Sequence, residues 1–551
     1  MADYSQADSQ LQLLLPLPPD TLLPTRLSGQ EKLGGSFAFT IEAVAQKNTP
    51  IPFAVLLGMP GSARVLTPGG PDRYFSGIIW ALSKTGSDDT FDHYQITLRP
   101  KLDTLALTKR TRLFQDMTGL QIIEKILEPV GGATTLFAGI SAPRAYCTQY
   151  RETDLEFFLR LCSEEGILHY WLHLPLIHSL VLTSNTTLTV PLQSIPYDTS
   201  EGGTQDDGGR FHAWAFEQEL APSSVSMADS HFQLAGTRLE ATGTPPPFIV
   251  GGGQPLRFPD APGPWEEDGH SPARFMDGVS ASGLPNLIPP IAGVLEVMQS
   301  AVAKNLANGA VAGSVRGRGI GRCPQLAPGL GFILTEMGTE GGPHVVTEVE
   351  HRVELPGRYG TGATGEVTVE TRVTAAPQLL PLAPWPPRSK PMVGGVFTAE
   401  VMGTPGQEVN LDLHGRVRVR FWWDRDEGAA GTWVRVAQCW AGNGYGAVFW
   451  PRVGHEVVVA FEGGDPDRPM IVGSVYNSKN APPYPMPLSA YISGFKSCTE
   501  RGNPLENYHN ILMKDGSADK NIAIHAESSV VTTQESNTLS LRPRFDISVT
   551  G

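Results

Sequence analysis

His455-Glu456 is the first place in this 551-residue chain where residue type and spacing could do chemistry. H-E-x-x-H sets two zinc-binding imidazoles four residues apart on one helix face, with a glutamate base between them. The position that needs the second histidine is Val459, and Glu456 to Phe461 alternates, with Val457, Val459 and Phe461 on one face, so the pair reads as part of a strand. His169 and His173 are also four apart, but in the strand read at 167–173 that spacing spans about 13 Å, too far for one metal. Asp465 and Asp467, in the turn GGDPDRP, lack the acidic spacing of a calcium loop and fit Asp-Pro turn chemistry. Gly317-Arg-Gly-Ile-Gly321 and Gly442-Asn-Gly-Tyr-Gly446 have the wrong spacing for a dinucleotide loop and read as turns, and no G-x-S-x-G elbow or Walker loop occurs. No catalytic, cofactor-binding or metal-binding residue is assigned, and no cofactor is expected.

Arg416, Arg418 and Arg420 share one face of R-V-R-V-R, the kind of basic stripe that reads nucleic acid on an oligonucleotide-binding (OB) barrel. Against that stand a formal net charge of −14 and the absence of an aromatic residue interleaved on that face. The expectation is therefore no nucleic acid, with the arginines meeting acidic groups of a neighbouring subunit or solvent. Five cysteines, Cys147, Cys162, Cys323, Cys439 and Cys498, are widely spaced without a C-x-x-C pair and read as buried thiols. The N-terminus lacks a basic n-region, and no run reaches the roughly 18 apolar residues of a membrane span. Synthesis in the cytoplasm, with any export by a route other than a cleaved signal peptide, is expected.

The elements that must position these residues are mostly strands. Gly 60 and Pro 47 with only 18% charged residues suit short strands and tight turns. Phe37, Phe39 and Ile41 alternate with Ala38 and Thr40, opening a first barrel at 25–105. Capping boxes at Thr118–Gln121 and Thr153–Glu156 open two helices, the second with Leu155, Phe158, Leu159 and Cys162 on one face. They lie in a mixed region, 106–205. A second β-rich unit spans 206–378, with a Gly/Pro-rich insertion at 242–290 and a helix over 291–306. Residues 379–391 read as a semi-rigid Pro-rich linker. Five strands at Phe397–Met402, Arg416–Trp422, Trp433–Gln438, Glu456–Phe461 and Met470–Tyr476 make 392–480 an OB-type barrel. In the tail, 481–551, short alternating pieces at Ile522–Ala526 and Asp546–Gly551 cannot bury both faces alone, which argues for stacking with copies in other subunits.

HGRVRVRFWWDRD and TWVRVAQCWAGNGYGAVFWPRVGHEVVVAFEGGDPDRPMIVGSVYN are similar to the signature of VgrG, the tip protein of bacterial type VI secretion systems. RYFSGII, YQITLRPKLDTL, RLFQDMT, YCTQYRETDLEFFLRLCSEEGILHYWLH and VTEVEHR resemble the VgrG hub in the same order. The resemblance implies a mainly β fold with a few helices: tandem hub barrels like those of contractile phage tails, an OB-type barrel, and the start of a trimeric β-helix needle after an N-terminal segment, 1–24. It implies a non-enzymatic homotrimeric spike that punctures a target membrane transiently, meets Hcp-like tube and baseplate proteins, carries a PAAR-type cap or effectors near 547–551, and is secreted by the contractile apparatus. The roughly 60 residues after the barrel are too few for an enzyme domain and make a short needle, so the spike of an extracellular injection particle or phage-like tail is the alternative. A cell-wall hydrolase hidden in the hub is the alternative from another class.

Overall fold

The computed structural model describes residues 4–67, 71–136, 142–184, 191–198, 209–246, 249–250, 254–255, 265–268, 291–356, 359, 367–425 and 431–527. The chain divides into a larger compact unit, 1–396 with 423–428 and 460–470, and a smaller one, 397–422, 429–459 and 471–551.

The larger unit is built on a twelve-stranded sheet. Its path runs Leu11–Leu14, Pro60–Val65, Arg73–Ser87, Phe91–Arg99, Phe37–Gln46, Leu23–Lys32, Gly342–Glu354, Thr368–Pro377, Val315–Gly321, Phe211–Gln218. Pro191–Pro196 and Gly331–Thr335 branch off at Gly342–Glu354. The two expected strand groups are thus hydrogen-bonded into one path, joined where Arg26 to Lys32 runs antiparallel to Glu354 to Glu348. Leu11–Leu14, in the segment expected to precede the first barrel, is itself a strand paired with Pro60–Val65. Period-2 alternation places Phe37, Phe39 and Ile41 fully in the core, as the sequence predicts.

Both capping boxes form. Thr118 and Gln121 exchange side-chain and backbone hydrogen bonds at the start of Gly119–Leu127, and Thr153 and Glu156 do so before Asp154–Glu164. The buried face of the second helix is broader than the expected one. Phe158 and Cys162 are buried and Leu155 and Leu159 pack half-buried against the core, but Phe157 and Leu161 are buried too, as is Arg160, held by carboxylates. The third helix is longer than expected, Ile291–Ala312, running on through Gly309 and stopping before Gly313. Within the insertion, Trp265–Asp268 pairs parallel to Val225–Ser230, and much of the rest lies outside the described residues. The Pro-rich segment expected as a spacer is packed: Leu380, Leu382 and Ala383 are buried.

The smaller unit holds a closed five-stranded barrel in the order Phe397–Met402, Val417–Phe421, Thr432–Val436, Pro469–Val475, Glu456–Phe461. Val457, Val459 and Phe461 line its core and Glu456 faces away. A three-stranded antiparallel sheet follows: Ile492–Lys496, Asn510–Gly516 and Asp519–His525. The strand expected at 546–551 lies outside the described residues.

Candidate functional site

The residues singled out for chemistry are occupied structurally. His455 Nδ1 accepts the Arg452 backbone N–H, and Glu456 accepts 2.7 Å from the Asn477 amide. His169 and His173 both point inward from Leu168–Leu174. Burial pushes the His169 imidazole down to about 4. His173 Nε2 sits 3.0 Å from Glu31, and its Nδ1 lies against the Ser76 N–H at 3.1 Å and the Ser76 carbonyl at 3.0 Å; burial lowers the imidazole while Glu31 opposes. Among the described residues no group of three or more His, Cys, Asp or Glu could hold a metal ion.

The glycine motifs divide. Gly442 to Gly446 forms a turn, bridged from Ala441 to Gly446, with Gly444 at φ 80°. Gly317, Gly319 and Gly321 are not turn residues but lie in the strand Val315–Gly321. Their i, i+2, i+4 spacing puts all three on one face, where a side chain on Gly319 would meet the Phe211 ring at 2.7 Å. The arginine stripe finds partners within its own chain: Arg416 pairs with Asp412 at 2.6 Å, Arg420 with Glu400 at 3.6 Å, and Arg418 lies 4.9 Å from the Trp433 ring centre on the adjacent strand. Cys147, Cys162 and Cys323 are buried as expected; Cys439 is exposed and Cys498 half-buried, since both lie in irregular segments outside a core.

The turn 462–468 gathers a set of buried polar and charged contacts. Asp465 and Asp467 are not calcium ligands here but anchors for Lys390, which donates to Asp467 at 2.8 Å and lies 3.4 Å from Asp465. The Lys390 side chain is 9% exposed and that of Asp467 1%. Asp467 also accepts the Thr148 N–H at 2.7 Å, the Thr148 hydroxyl donates to the Pro466 carbonyl, and Val393 N–H donates to Gly464. Arg468 reaches Asp465 at 3.1 Å and Asp229 at 3.8 Å. Behind Thr148, Arg160 holds Glu152 and Glu164, and Arg144 holds Glu164 and Glu165.

These groups tune one another. Burial alone would lower the Lys390 ammonium, but Asp467, Asp465 and Glu164 raise it, so it stays charged. Burial would raise Glu164, yet Arg144 and Arg160 hold it down to about 2. Asp465 is raised by burial, with Lys390 opposing and Asp467 adding to the rise. Asp465, Asp467 and Arg468 therefore each have a charged partner, and the arrangement can hold a loop in place. Sequence reasoning found the turn but missed Lys390, Arg160 and Glu164, which look like ordinary surface charges until their burial is known.

A second feature lies in the C-terminal sheet. Cross-strand register aligns Phe495 with Ile511 and Ile511 with Ile524, and Met513 with Ile522. These five side chains share one sheet face, and each is between 43% and 72% exposed. Phe495 is also stacked on Phe449 at 5.4 Å between ring centres.

Comparison with known proteins adds to this geometry. A family model described as the phage tail baseplate hub (GPD) matches residues 30–357, and one described as the type VI secretion system/phage-baseplate injector OB domain matches 408–476. The chain is 34% identical over 529 residues to the type VI secretion system spike protein VgrG1a of Pseudomonas aeruginosa, covering 94% of this chain and 77% of that one. It is 30% identical over 471 residues to the actin cross-linking toxin VgrG1 of Vibrio cholerae, covering 82% of this chain and 39% of that one. Among solved structures, an Escherichia coli component of the type VI secretion system, itself described as similar to bacteriophage tail proteins, superposes with a TM-score of 0.56 at 16% identity, covering 84% of this chain and 100% of that one. At that identity the likeness is one of fold.

Proposed function

This chain belongs to the VgrG family of type VI secretion spike proteins, and from that membership we propose that it acts as a homotrimeric spike whose C-terminal sheets pack against one another. The observation that carries the trimer is the exposed face of Phe495, Ile511, Met513, Ile522 and Ile524. Five large apolar side chains on one face of an isolated three-stranded sheet are a hydrophobic surface that water disfavours, and association of copies removes both the face and the open strand edges. Closed three-fold association is a symmetric solution that needs only one kind of contact.

In this reading the chain does mechanical work without catalysis. The Lys390–Asp465–Asp467 cluster keeps the 462–468 turn fixed to the hub. The hub meets Hcp-like tube and baseplate proteins, the far end carries a PAAR-type cap or effectors, and the assembled particle leaves the cytoplasm through the contractile apparatus to puncture a membrane. No helix among the described residues is long and apolar enough to cross a membrane. Support for a non-enzymatic role comes from the hub family itself and from the structural engagement of His455, Glu456, His169, His173, Asp465 and Asp467. Light scattering on the purified full chain tests the trimer: three copies are expected, and a monomer overturns it.

A further inference from the structure

A cleft of about 1100 Å³ opens in the larger unit between the Pro-rich segment 382–391, the strand Cys147–Thr153 and the helix Asp154–Glu164. Seven cationic side chains and only three carboxylates line it, in a chain whose net charge is −14. Four of the cations are matched: Arg160 by Glu152, Lys390 by Asp467, Arg316 by Glu217 and Lys32 by Glu348. Lys109, Arg151 and Arg388 are exposed and make no ion pair within 4 Å among the described residues. Glu156, also in the lining, feels the charges of Lys109 and Arg388 without an ion pair to either, its carboxylate being engaged in the Thr153 capping box.

Arg151 is placed there against the preference of its backbone. It stands at φ 50°, a left-handed conformation that a long side chain seldom adopts, at a register shift between Gln149 and Glu152 where the strand pairs with Lys109–Phe114. Its N–H donates to Thr111, and its guanidinium lies over Tyr150 at 5.3 Å. A bulge that re-aims a side chain, held in a strained backbone, is the kind of feature retained for binding. The opposite wall is fixed where the Arg388 N–H donates to the Ser163 hydroxyl at 3.2 Å. Ile167, Leu168 and Leu382 give the cleft an apolar floor.

We propose that this cleft binds an extended acidic segment of a partner polypeptide, its carboxylates meeting Lys109, Arg151 and Arg388 and its apolar side chains the floor. Charge complementarity selects the partner: local cations that form no ion pair attract an acidic chain at short range, against the long-range repulsion expected from a protein of net charge −14. The apolar floor favours peptide over nucleic acid, for which Trp385 is the one tryptophan, tyrosine or phenylalanine in the lining that could stack a base. The lining residues come from one copy, so the site needs no residue from a second.

A fluorescent peptide of alternating glutamate and leucine, titrated into the full chain, tests the proposal, with a lysine-leucine peptide and a single-stranded oligonucleotide as controls. The acidic peptide is expected to bind, to weaken with rising salt, and to lose about tenfold or more in affinity on the combined change Lys109→Glu, Arg151→Glu and Arg388→Glu. Arg151→Gly relieves the backbone and is expected to weaken peptide binding without lowering Tm. No binding, binding unchanged in the triple variant, equal binding of the oligonucleotide, or a Tm drop of several degrees in Arg151→Gly overturns it.

Discussion

At the scale of single residues, the groups that looked chemical prove to hold the fold. Lys390 is the sharpest case. Lys390→Met leaves the buried Asp467 without its cation and Asp465 with Arg468 alone, and breaking a buried pair from one side costs about 3 to 5 kcal/mol. Denaturant titration checks this, and a loss under about 1 kcal/mol would refute the structural role of the cluster. A pH series makes a second test. Burial holds His169, His178 and His351 at about 4, below their ordinary 6.5, so the stability they contribute is complete above 6.5 and falls away between 6.5 and 4. Glu31 and Glu164, which burial would raise but Arg73 with His173 and Arg144 with Arg160 hold at about 2, lose theirs between 4.5 and 2. The urea midpoint should therefore decline in both windows; a flat midpoint from pH 7 to 4.5 contradicts the buried neutral imidazoles. None of this was legible in the sequence, because a buried Arg160 and an exposed Arg151 are spelled alike and only their long-range partners separate them.

At the scale of elements, local signals were read well and long-range ones poorly. Both capping boxes, the alternation at Phe37–Ile41 and the barrel strands were visible because they depend on neighbours within a few residues. The joining of the two strand groups through Arg26–Lys32 and the packing of Leu380 and Leu382 depend on contacts across hundreds of residues, which a pattern cannot carry. The strand Val315–Gly321 sits between these cases. Its glycines recur at period 2, a strand signal that their turn propensity hid, and they leave room for Phe211 and Trp214. Gly319→Ala would place a methyl 2.7 Å from Phe211 and 2.8 Å from Trp214 and is expected to destabilise by about 1 to 3 kcal/mol. An unchanged Tm would mean that the aromatic pair is not packed there.

At the scale of the whole molecule, the account turns on the apolar face of the C-terminal sheet. In the sequence, Ile522–Ala526 already looked unable to bury itself, but Phe495, Ile511 and Met513 could not be assigned to the same face until the register was known. In the proposed spike, that face is the surface through which copies of the chain meet. The decisive measurement is the light-scattering mass of the full chain beside that of the Ile511→Glu, Ile524→Glu variant. The account predicts a trimer for the unaltered chain and a monomer with an intact barrel for the variant; a monomeric unaltered chain, or a variant that stays trimeric, would contradict it.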